Sequence, residues 1–110
     1  MNKKPSKKTK LELFKGIEQA IDNKNYVFTQ HGEIRSKQRL NDEQVIRILR
    51  DRRKKHDAAR DYYLEGYQDW NYHIQGHTVD NQPVRIVVSF EENSMLIITV
   101  INLATEEYEK

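Results

Sequence analysis

Pro83 to Asn102, PVRIVVSFEENSMLIITVIN, is the stretch that most restricts what this chain can become. Two runs rich in Val and Ile flank the polar residues Glu91-Glu92-Asn93-Ser94. β-Branched side chains rotate little and suit a pleated, half-buried surface, so two such runs about a short turn predict a β-hairpin. Val84, Ile86, Val88 and Phe90 share one parity, and Arg85, Val87 and Ser89 the other. On the return strand, Leu96, Ile98 and Val100 are expected to face opposite to Met95, Ile97 and Thr99. Apolar residues on both faces put the pair at the centre of a sheet. Polar positions gather on one side, and a site is to be sought there.

Upstream, Leu11, Phe14, Ile17 and Ile21 recur at helical spacing from about Lys8 to Asp22, with Leu13 and Ala20 beside them, and predict an amphipathic helix. Tyr26-Val27-Phe28 follows as a short edge strand. His31 to Leu40 reads as a short helix. Asn41 with Gln44 three residues on is a variant capping box, opening a helix with Val45, Ile46 and Leu49 inward and Arg47, Arg50 and Lys54 outward. Residues 57–66 permit another helical turn or two. Asn71 to Val79 reads as a strand, and Asp80-Asn81-Gln82 as the turn into the hairpin. The sum is an α+β domain, an antiparallel sheet of about four strands with N-terminal helices on one face. A basic flexible arm, residues 1–10, precedes a single domain over 11–110.

The chain has 110 residues, room for one modest core, and no run approaching the ~20 apolar residues of a membrane span. No apolar stretch follows the basic start, which excludes a secretory signal. The absence of cysteine rules out disulfides and thiol chemistry and fits a cytoplasmic location. Charge is divided unevenly: residues 1–60 hold 17 Lys+Arg against 8 Asp+Glu, whereas residues 61–110 hold 2 against 9. Such a split suggests an anionic partner for the first half, or pairing between the halves.

Phosphate-binding glycine loops, nucleophile elbows and zincin motifs are all absent from the sequence. His73 and His77, four apart on a strand, lie roughly 13 Å from each other and cannot share a metal, so neither metal nor cofactor is expected. His31, Arg35 and Arg39 fall at i, i+4, i+8 and line up along one side of a helix. Cutting RNA through its own 2′-hydroxyl needs a base, an acid and cations around the phosphorane. Neutral His can be base or acid near pH 7, whereas Arg clamps phosphate. Arg85, Ser89 and Thr99 can join from the hairpin, with His73 or His77 beside them. For each of these residues the plainer reading, a solvated helix or sheet face, stays open. Lys37, Arg50, Arg53 and Lys54 are candidate phosphate contacts, and Tyr67 a candidate base stacker.

Three segments, YVFTQHGEIRSKQRLNDEQVIRIL, DWNYHIQGHTVDNQPVRIVVSF and MLIITVINL, together resemble a family of small bacterial proteins of unknown function related to RelE-, BrnT- and MqsR-type toxins. The resemblance spans about residues 26–102. It implies a RelE-like, ribonuclease-like fold that cuts messenger RNA without metal, with His31 and Arg35 foremost and Arg39 next.

The expectation is therefore a metal-independent endoribonuclease, the toxin of a toxin–antitoxin pair. In it His31 is base or acid, Arg35, Arg39 and Arg85 hold phosphate, and His73 or His77 is the second proton-transfer group. Its partners would be RNA and an antitoxin protein. The rival is a non-catalytic nucleic-acid or protein-binding module of the same fold, and a third reading is an oligomer built on an edge strand.

Overall fold

The computed structural model describes residues 6–29, 40–64, 69–91 and 94–103. Helix α1 (Lys10–Asp22) leads into β1 (Tyr26–Phe28). Helix α2 (Asp42–Arg50) comes next, followed by the two-residue β2 (Lys55–His56), a 3-10 turn (Ala58–Arg60) and β3 (Tyr62–Leu64). The long strands β4 (Asp69–His77), β5 (Pro83–Phe90) and β6 (Met95–Asn102) complete the sheet. Among the described residues the fold is α+β, two N-terminal helices on a mostly antiparallel six-stranded sheet, and the expected helix over His31 to Leu40 lies outside them but for Leu40. Its order is β1-β6-β5-β4-β2, with β3 also on β4. Two strands beyond the expected four are short edge pieces, and β1 runs parallel to β6 rather than antiparallel.

Both helix starts are reciprocal capping boxes. Thr9 Oγ1 accepts from the Glu12 amide and the Glu12 carboxylate accepts from the Thr9 amide; Asn41 and Gln44 do the same for α2. The inward stripe of α1 is Leu13, Ile17, Ala20 and Ile21; Ile17 and Ile21 are buried as expected, Phe14 packs partly buried against the core, and Leu11 is 79% exposed. On α2 the buried residues are Val45, Ile48 and Leu49, with Ile46 only partly covered. Residues 57–64 give a single 3-10 turn and a strand in place of the extra helix.

Tyr72, Ile74, Val84, Ile86, Val88, Met95, Ile97 and Val100 form the inner face of the sheet, packed on the helices in one core. Gly76 shares that face. A Cβ there would run into Ile48 Cγ2, so only glycine lets β4 approach α2 this closely. One register shift changes the expected alternation in β6. Val88 pairs with Ile97 but Val87 pairs with Thr99, so Ile98 is an extra, bulged residue. Past it, Val100 turns inward and Thr99 outward, the reverse of uninterrupted parity. Among the described residues no helix is long and apolar enough to cross a membrane.

Candidate active site on the outer sheet face

Antiparallel register sets the outer face in rows: Tyr62–Asn71 and Ser89–Leu96, then His73–Val87–Thr99, then Lys55–Gln75–Arg85–Ile101. Residues 57–62 fold beside these rows and help to bury them. The Tyr62 ring lies 5.8 Å from that of His73, and its hydroxyl accepts from Asn71 Nδ2 at 2.9 Å. Among the described residues, four buried polar atoms have no hydrogen-bond partner: Asn71 Oδ1, His73 Nδ1, Arg85 Nε and Ser89 Oγ. All four belong to this one face. Each such orphan costs about 1–3 kcal/mol where nothing satisfies it, and the four are concentrated in adjacent rows.

Asp61 closes the edge of β4 in the gap between β2 and β3. Its carboxylate is fully buried, and Oδ1 accepts the His73 backbone N–H at 2.8 Å, as a neighbouring strand's carbonyl would. The Asp57 amide donates to the His73 carbonyl at 2.9 Å, completing that edge. Asp61 Oδ2 accepts from His56 Nε2 at 2.6 Å and from Lys7 Nζ at 3.0 Å. The His73 ring stands behind this cluster, with Nδ1 3.9 Å from Oδ1, too far for a hydrogen bond.

Burial holds the His73 imidazole below its usual 6.5. Asp61 opposes that, Arg85 reinforces it, Asp57 opposes and Arg60 reinforces. Net, the ring is neutral near pH 7 and able to take a proton. The neighbouring Arg85 offers a guanidinium, and Thr99 a hydroxyl in the His73 row. A base, a fixed cation and a hydroxyl thus share one surface. Among the described residues no three His, Asp or Glu converge as metal ligands.

Of the residues singled out in the sequence, His73 and Arg85 come together here. His77 does not: it ends β4 exposed, at the rim of a separate cleft of about 90 Å³ shared with Arg47, Arg53 and Thr78. The cationic run after α2 is largely engaged within the chain. Arg50 pairs with Asp22 at 2.6 Å, and Arg53 with Asp51 at 2.9 Å. Lys54, expected to face outward, is buried: Nζ lies 4.6 Å from the Phe14 ring centre and donates to the Asp51 carbonyl. That placement serves α1–α2 packing and corrects its expected exposure. His31, Arg35, Lys37, Arg39 and Tyr67 lie outside the described residues.

Sequence reasoning missed Asp61, His56 and the docking of Lys7. Asp61 falls in HDAARD, a segment with no clear period, and only the β2–β3 gap gives it a role. Lys7 reads as part of a free arm, yet it docks on Asp61 and the Ala58 carbonyl, and the Lys8 amide donates to the Tyr72 hydroxyl.

One family model, described as a domain of unknown function (DUF4258), matches residues 17–102. No curated protein and no solved structure matches the chain.

Proposed function

The chain belongs to the DUF4258 family, whose description assigns no activity, and from the chemistry of the outer sheet face we propose that it is a metal-independent endoribonuclease. The observation that carries the reading is the row of partnerless polar atoms around a neutral His73, next to Arg85. In the proposed step His73 Nε2 takes the proton of an RNA 2′-hydroxyl. The 2′-oxygen bonds to phosphorus, the bond to the 5′-oxygen breaks, and that oxygen leaves with a proton from a second group, for which the sequence offers His31. Arg85, aided by the Thr99 hydroxyl, holds the charge that grows on the phosphorane oxygens. Arg35 and Arg39 are further candidate cations. The products are a 2′,3′-cyclic phosphate and a 5′-hydroxyl. The RelE resemblance adds the role of a bacterial toxin held in check by an antitoxin protein.

The test is incubation of the full chain with end-labelled RNA in the presence of a chelator. Cyclic phosphate ends are expected, with cleavage reduced about a hundredfold or more in His73→Ala. Unchanged cleavage in that variant, or none by the parent, defeats the reading. The rival is a non-catalytic binding module of the same fold, and the engagement of Arg50 and Arg53 within the chain leaves it fewer free cations for phosphate. Salt-sensitive RNA binding with no product is its signature.

A further inference from the structure

We infer that Asp61 is a positioning residue for His73: clamped by His56 and by Lys7 of the N-terminal arm, its carboxylate keeps Nδ1 turned toward itself and leaves Nε2 as the atom offered to substrate. The inference deepens the nuclease reading and rests on it for the identity of that substrate.

Geometry carries it. Three segments converge on one fully buried carboxylate: the arm through Lys7 Nζ, β2 through His56 Nε2, and β4 through the His73 amide. Because Oδ1 is tied to the His73 backbone amide, the carboxylate is held beside the residue whose ring it faces. His73 Nδ1 is itself buried and has no hydrogen-bond partner, and Asp61 Oδ1 is 3.9 Å away. When Nε2 gains a proton, the positive ring finds a fixed carboxylate 3.9 Å from its other nitrogen, a Coulombic contact that lacks the hydrogen bond of the His–Asp pairs of acid–base enzymes. The other charged groups bearing on this ring are Arg85 across the sheet and Asp57 and Arg60 on the adjoining turn. His56 and Lys7 act on it only through Asp61. The arm, which looks dispensable in the sequence, thereby becomes part of the site.

The experiment follows the His73 ring by NMR against pH in the full chain, without RNA. Asp61→Asn keeps an oxygen for the His73 amide and removes the charge. The expected result is a midpoint about one pH unit lower than in the parent. Lys7→Gln, which unmasks the carboxylate at a partly exposed position, should move the midpoint the opposite way. An unmoved midpoint in folded Asp61→Asn shows a structural clamp and overturns the inference. Should that variant not fold, an unmoved midpoint in Lys7→Gln overturns it equally. Absence of RNA cleavage by the parent defeats the nuclease reading instead and leaves these midpoints standing.

Discussion

The Thr29 hydroxyl lies 3.1 Å from the Ile98 carbonyl and 3.3 Å from that of Ile97, so it straps the β6 bulge to the end of β1. The Thr29 amide adds a bond to the Ile97 carbonyl at 3.0 Å. The bulge sets the direction of everything beyond it, sending Thr99 to the outer face, across Val87 from His73, and Val100 into the core. Bulges re-aim side chains at functional sites in this way. Thr29→Val keeps shape and the backbone bond but removes the hydroxyl. It should cost about 1 kcal/mol in urea unfolding, while Thr29→Ser costs less. An unchanged midpoint in both variants would mean that the bulge holds itself.

Gly76 and Ile48 should behave as a coupled pair. A methyl at 76 meets Ile48 Cγ2 and forces α2 away from β4, so Gly76→Ala is expected to destabilise by about 1–3 kcal/mol. Ile48→Ala alone leaves a cavity and costs about 2–5 kcal/mol. Together the two changes should cost clearly less than their sum, since the new methyl enters the vacated space. Strict additivity would show that the glycine is needed for another reason.

The central hairpin, both capping boxes, the edge position of β1 and the turn before β5 were legible because each is written in adjacent residues. Asn81 illustrates the last: it takes the left-handed conformation, φ 65°, that Asn tolerates and a turn requires. What stayed hidden depends on distant partners. Nothing near Ile98 in the sequence signals a bulge, because its strap is Thr29. The inward stripe of α1 went to Leu13 over Leu11 because the sheet beneath it, not the apolar period alone, selects the face. Lys54 reads as a surface cation until α1 brings Phe14 beneath its ammonium. At the site, His73 and Arg85 were within reach of reasoning from strand parity. Asp61 was not, because its role exists only where β2 ends and β3 has yet to begin.

His73 also predicts how stability responds to acid. Burial lowers its folded pKa from 6.5, so between that value and the lower folded pKa the unfolded chain binds the extra proton. Stability therefore rises with pH across this window and is lost as pH falls from 6.5 toward the folded pKa. The other histidines contribute slopes of their own, and comparison with His73→Gln isolates this one. The expected result is a shallower loss of thermal midpoint below pH 6.5 in the variant. Identical slopes would mean that the ring gains a compensating partner when charged.

Lys54 separates packing from phosphate contact. Its ammonium has left most of its water behind, and burial lowers its pKa while Glu18 and Asp51 oppose that. In return it gains the Phe14 ring face and the Asp51 carbonyl. Replacing a buried charge by an apolar chain of similar length removes the desolvation penalty along with those contacts. Lys54→Met should consequently change stability by less than about 1 kcal/mol. Lys54→Ala uncovers Phe14 and should cost more, because the aliphatic stem is lost as well. Neither change should alter RNA affinity or its salt dependence, whereas Arg85→Gln should weaken both. Lost affinity in Lys54→Met with stability intact would put this ammonium on the RNA rather than between the helices.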